Sequence, residues 1–69
     1  MIKVNLLEAR MKEQSIKYDD LAKQLNMSYQ SLNKRIRGKV DFRLHEIKTI
    51  KDCLKLDREQ TDIIFLQEN

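Results

Sequence analysis

Apolar residues recur along the chain at helical spacing in short sets separated by polar residues. Val4, Leu7 and Met11 line one face of a first helix. The spacing Asn5-Leu6-Leu7-Glu8, a cap residue with Glu three positions on, predicts that this helix begins after Asn5. Ile16, Leu21, Ala22 and Leu25 mark a second, short helix with Asp19 and Asp20 in its first turn, where the partial positive charge of the helix end favours carboxylates. Asn26 follows the last periodic residue and tolerates the left-handed conformation a turn needs there.

Ser28 is a good N-cap, and Leu32 and Ile36 repeat behind it at i, i+4, which predicts a third helix from about Tyr29 to Arg37. Gly38 stops it. Leu44, Ile47, Ile50 and Leu54 give a fourth helix without an obvious N-cap. Asp57-Arg58-Glu59-Gln60 repeats the capping-box spacing and opens a fifth, which carries Ile63, Ile64, Phe65 and Leu66. These four apolar residues cover both sides of a short helix, so some close the core and the others are candidates for a protein interface.

Composition supports an all-α reading: there is no Pro and one Gly in 69 residues, which removes the turn chemistry of β-hairpins. The expectation is one domain over residues 1–69, a compact bundle of five short helices. A chain this short buries little surface, so self-association is expected to help it. The lone Cys53 excludes an internal disulfide and fits a reducing, cytoplasmic compartment. The longest apolar run, Ile63–Leu66, is far too short for a membrane span or signal core.

The net charge of +3 is unevenly spread. Residues 1–27 carry five Lys/Arg against four Asp/Glu, residues 28–43 five against one, and residues 44–69 four against six. The basic middle coincides with the third helix.

Residues 17–38 have the length and punctuation of a helix-turn-helix, with Leu21, Ala22 and Leu25 facing Met27, Leu32 and Ile36. The opposite face of the third helix is one polar stripe of Tyr29, Gln30, Asn33, Lys34 and Arg37, all hydrogen-bond donors. Gln and Asn pair with adenine, Lys and Arg with guanine, and a Tyr ring can touch a thymine methyl, so the stripe suits the major groove. Lys34, Arg35, Arg37, Lys39 and Arg43 are the cations expected to supply salt-dependent affinity.

The run Leu21-Ala22-Lys23-Gln24-Leu25-Asn26-Met27-Ser28, with Leu32-Asn33 and Arg37-Gly38, resembles the phage Cro and lambda-repressor helix-turn-helix family, also called the XRE family. Phe42, Glu46-Ile47, Ile50, Leu54, Leu56 and Ile64-Phe65 are similar to short phage and prophage members from Gram-positive hosts. The resemblance implies that Tyr29, Gln30, Lys34 and Asn33 read bases. It implies phosphate contacts at Tyr18, Ser28, Arg37, Lys39 and Arg43. Lys17-Tyr18 stands where the family usually has Thr or Ser followed by Gln, and Asn26 where Gly is frequent.

These observations imply a transcriptional regulator of Cro or repressor type that occupies operator DNA, with two copies on half-sites about 34 Å apart. A second reading keeps the fold but captures a partner repressor protein, through the acidic last third and Ile63–Leu66. Neither reading needs an enzyme, a cofactor or a metal. His45 has no second His beside it and reads as a surface residue, and Cys53, next to a core Leu, reads as a small hydrophobe.

Overall fold

The computed structural model describes residues 2–66. They form five helices in the order expected: α1 (Val4–Glu13), α2 (Tyr18–Gln24), α3 (Tyr29–Ile36), α4 (Leu44–Cys53) and α5 (Arg58–Phe65). Among the described residues there is no strand. The core gathers one or more residues from every helix, with Leu7, Leu21, Leu32 and Ile50 fully buried and Ile64 nearly so. α2 packs on α3 and α4, while α1 packs on α5.

α1 starts earlier than its Asn5-Glu8 spacing predicts. Lys3 is the N-cap and makes no side-chain cap bond. Instead its N–H donates to the Ile64 carbonyl at 3.0 Å, and its own carbonyl accepts from Leu7 N–H at 3.1 Å. A tertiary bond to the far end of the chain sets the start, so Asn5 lies inside the helix. The apolar face of Leu7 and Met11 is buried as the periodicity requires.

Four helices end in the same way. Ser15, Asn26, Gly38 and Lys55 take positive φ of 57°, 59°, 82° and 56°. The next amide reaches back five residues: Ile16 to Met11, Met27 to Ala22, Lys39 to Lys34 and Leu56 to Lys51, at 2.9–3.0 Å. These are Schellman closures, in which a left-handed residue lets the chain satisfy carbonyls left open at the helix end. After α1, α2 and α4 the residue that follows is apolar and packs on the core (Ile16, Met27, Leu56). After α3 it is Lys39, which is exposed.

The fourth helix corrects one sequence reading. Leu44 belongs to the apolar set by spacing, yet it is 83% exposed. At roughly 100° per residue it sits about 120° round the helix from Ile50, outside the buried arc. That arc is occupied by Glu46, which is 5% exposed, together with Ile50, Ile47 and Cys53. The Glu46 carboxylate accepts from the N–H of the N-cap residue Arg43 at 3.0 Å and from Arg35 Nε on α3 at 2.9 Å. The hidden cap of α4 is therefore the N3 glutamate reaching back.

α5 opens as its sequence predicts, with Asp57 Oδ1 accepting from Gln60 N–H at 2.7 Å and Gln60 Oε1 accepting from Asp57 N–H at 3.1 Å. The helix ends at Phe65, one residue short of the four-residue apolar run expected on it: Ile64 and Phe65 are buried, Phe65 edge-on to Phe42 at 5.4 Å between ring centroids, Ile63 is 45% exposed, and Leu66, the C-cap, is 58% exposed. No helix of the described residues is long and apolar enough to cross a membrane.

Candidate nucleic-acid interface

The helix-turn-helix unit is α2, the turn through Asn26, and α3. Asn26 turns the chain with positive φ, and Met27 N–H closes back on Ala22. Ser28 then caps α3, its Oγ accepting from Ser31 N–H at 3.1 Å and donating to Ser31 Oγ at 3.2 Å. The Ser28 hydroxyl is thus engaged within its own helix, a bond that fixes where α3 starts.

α3 divides cleanly. Leu32 and Ile36 are buried against the core. Arg35, counted among the DNA-facing cations in the sequence, turns inward: its Nε bonds to Glu46 and its Nη1 to the Ser31 carbonyl at 3.1 Å, with the side chain 16% exposed. A guanidinium bonded to a buried carboxylate is neutralised locally, so Arg35 belongs to the packing of α3 on α4. Tyr29, Gln30, Lys34 and Arg37 are exposed, and Asn33 is half-buried between them. Arg37 Nε donates to Asn33 Oδ1 at 3.4 Å, which leaves the Asn33 Nδ2 donor turned away from the guanidinium. The five polar residues of the stripe are thereby brought onto one outward face.

The flanking candidates divide as well. Lys39 is exposed immediately after Gly38, its main-chain N–H held by Lys34 O, so the cation stands off the C-terminal end of α3. Arg43 is exposed at the start of α4 and shares a depression with Asn26 and Met27 of the turn. Tyr18, which opens α2, is half-buried, and its hydroxyl donates to the Glu8 carboxylate on α1. Burial first, and then that bond to Glu8, pushes the Tyr18 phenol well above its ordinary range, so it remains a protonated donor. Its ring lies against Tyr29, with centroids 6.2 Å apart and planes at 53°. Glu8, Tyr18, Asn33 and Arg37 line one cleft of about 250 Å³.

Two site-related residues escape the sequence reading. Glu8 reads in the sequence as the capping-box partner of Asn5, whereas its carboxylate accepts from Tyr18, ten positions away on another helix. Glu46 looks like any charged helical residue until α3 is packed beside it. Of the remaining candidates for chemistry, the Cys53 thiol is pushed up by burial, which disfavours its thiolate, and His45 is exposed. Among the described residues no three His, Cys, Asp or Glu side chains gather as metal ligands would.

A stripe of donors on an exposed helix, with cations at its end and no carboxylate within it, is what a helix needs to lie along base edges between phosphates. Residues 6–61 match the Cro/C1-type HTH DNA-binding domain. No curated protein and no solved structure matches the chain. The matched span takes in all of α2, α3 and α4 and most of α1, and on it the chain belongs to the Cro/C1-type HTH DNA-binding domain family.

Proposed function

We propose that this protein is an operator-binding transcriptional regulator of Cro or repressor type, which lays α3 in the major groove and controls a promoter by obstructing polymerase. The observation that carries this reading is the division of α3. Its buried residues and Arg35 fix it to the body, while Tyr29, Gln30, Asn33 and Lys34 are left facing outward as base readers. Arg37, Lys39 and Arg43 flank that stripe as phosphate contacts. Two copies bound to a two-fold operator would place their α3 helices about 34 Å apart, one turn of the duplex. The likeness of residues 42–65 to short phage and prophage regulators supports a prophage promoter as the setting.

The test is fluorescence anisotropy with duplexes from the promoter region of its own locus and a scrambled duplex, at two salt concentrations. Specific binding about a thousandfold tighter than to scrambled DNA is expected. Lys34→Ala is expected to relax base preference at one position. Lys39→Ala weakens all sequences alike and makes the salt slope shallower by about 0.9. Equal affinity for both duplexes in the parent protein overturns the proposal.

A second reading, capture of a partner repressor, draws on the exposure of Leu66 and of Ile63, which shares a depression with Leu6, itself 40% exposed. Ile63→Asp and Leu66→Asp test it at the surface, whereas Ile64→Asp and Phe65→Asp would introduce a charge into the core. Repressor binding that survives both surface variants removes this reading.

A further inference from the structure

We infer that Glu8 and Tyr18 form a strut that positions the Tyr29 ring, making Tyr29 the reader of a C5-methyl group on a pyrimidine at one operator position. The inference deepens the operator-reading proposal and rests on it.

Tyr29 is the first residue of α3 and is 46% exposed, so the helix alone leaves its ring free to move between rotamers. Tyr18 removes that freedom. The two rings stand 6.2 Å apart at 53°, inside the range of favourable tilted aromatic pairs. Tyr18 is itself held at its other end, because its hydroxyl donates to Glu8 on α1. Three helices therefore converge on the orientation of one exposed ring: α1 through the carboxylate, α2 through the phenol and α3 through Tyr29.

The same contacts argue against Tyr18 as a phosphate clamp. A hydroxyl has one proton to donate, and here it goes to a carboxylate. A phosphate approaching that hydroxyl would also meet the negative charge of Glu8. Arg37, which lines the same cleft, is the better placed cation for the backbone, leaving Tyr18 as a positioning residue.

An aromatic ring held in one pose on the reading face offers apolar contact rather than a two-pronged hydrogen-bond pattern. In the major groove the matching feature is the C5-methyl of thymine, or of 5-methylcytosine. Gln30, the next residue, and Lys34, a helical turn beyond it on the same stripe, remain the hydrogen-bonding readers.

The full chain is first used to select a consensus from a randomised duplex library. Anisotropy is then measured on the selected duplex with thymine, uracil, cytosine or 5-methylcytosine at each pyrimidine position in turn. The parent protein is expected to lose about two- to tenfold in affinity when one particular methyl is removed, and to regain it with 5-methylcytosine at that position. If uracil binds as well as thymine, and 5-methylcytosine behaves as cytosine, the reader recognises the O4 carbonyl pattern and the methyl assignment is overturned.

Tyr29→Ala and Tyr18→Leu should both abolish the methyl effect at that same position while leaving base preference elsewhere intact. Tyr18→Phe keeps the ring contact but loses the bond to Glu8, so it should reduce the methyl effect as Glu8→Ala does, without weakening every duplex alike. Glu8→Ala should reduce it, and Glu8→Gln, still an acceptor, should preserve it. Circular-dichroism melts verify that each variant is folded. A uniform loss on every duplex with Tyr18→Phe would identify a phosphate-bonding hydroxyl and overturn the strut, as would an undiminished methyl effect in Glu8→Ala. If the parent selects no consensus at all, operator reading fails and takes the inference with it. A consensus without methyl dependence sinks the inference alone.

Discussion

Removing the Glu46 carboxylate should cost this protein most of its stability. Glu46 and Arg35 have side chains 6% and 16% exposed, and the carboxylate bonds both to Arg35 Nε and to the Arg43 main-chain N–H. Glu46→Ala leaves a guanidinium facing the core without its counter-charge, opens a cavity and deletes the cap of α4. Breaking a buried pair from one side costs about 3–5 kcal/mol, and the partial exposure of Arg35 argues for the lower end, about 3 kcal/mol. A domain of this size holds only roughly 3–5 kcal/mol in total. At about 4–8 °C per kcal/mol, the melting temperature should fall by roughly 12–24 °C, read by circular dichroism at 222 nm as an order-of-magnitude shift. Glu46→Gln keeps an acceptor for Arg43 N–H and loses only the charge, so its cost should be nearer 1–2 kcal/mol, a rough figure. Arg35→Met combined with Glu46→Leu should recover much of the loss, because an apolar pair of similar volume removes both desolvation costs. A Glu46→Ala melt within about 0.5 kcal/mol of the parent would refute this account of how α3 is held.

The same carboxylate predicts acid sensitivity. Burial pushes Glu46 up, but the Arg43 N–H and the Arg35 guanidinium together outweigh it and hold the group below its ordinary value. A folded-state value below the unfolded one stabilises at neutral pH and is lost as pH falls through the folded value, so urea midpoints should drop on acidification below about pH 4, and less so in Glu46→Gln. Ser28→Ala should cost about 1 kcal/mol in urea melts by deleting the cap of α3, and a melt matching the parent would dismiss the capping role. Lys55 holds a left-handed conformation at φ 56°, so Lys55→Gly should stabilise by roughly 0.5 kcal/mol, while Gly38→Ala, at φ 82°, should destabilise by about 1 kcal/mol. Opposite signs in one set of thermal melts are the expected result, and equal signs would contradict the backbone argument.

Local chemistry in this chain is legible residue by residue, and long-range chemistry is not. Asn26, Ser28, Gly38 and Asp57 act within a few positions of themselves, and each does in the structure what its type predicts. Ser15 and Lys55 adopt the same left-handed turn without any sequence signal, since neither is a residue that prefers it. What gives those turns away is the apolar residue after each, Ile16 and Leu56, which the core draws inward. Leu44 misleads because spacing alone treats it as equal to Ile47, and the arc it should share is filled by Glu46. Arg35 misleads for the same reason: nothing within three or four positions shows the carboxylate that claims it. The outward stripe of α3, by contrast, is readable because one helix carries all of it. The Glu8–Tyr18–Tyr29 contact needs three helices, and so it is visible only in the folded chain.

The two-faced construction of α3 also bears on how such a protein diverges. Gln30 and Lys34 are exposed, so if they read bases as proposed, exchanging them alters what is recognised at little cost to folding. Leu32, Arg35 and Ile36, interleaved with them in the same eight residues, are tied to the body and tolerate no such drift. A lineage can therefore acquire a new target through one or two codons while its scaffold stays still. Tyr29 is the exception within the stripe, because its replacement strands Tyr18, and retargeting that position requires coordinated change on two helices.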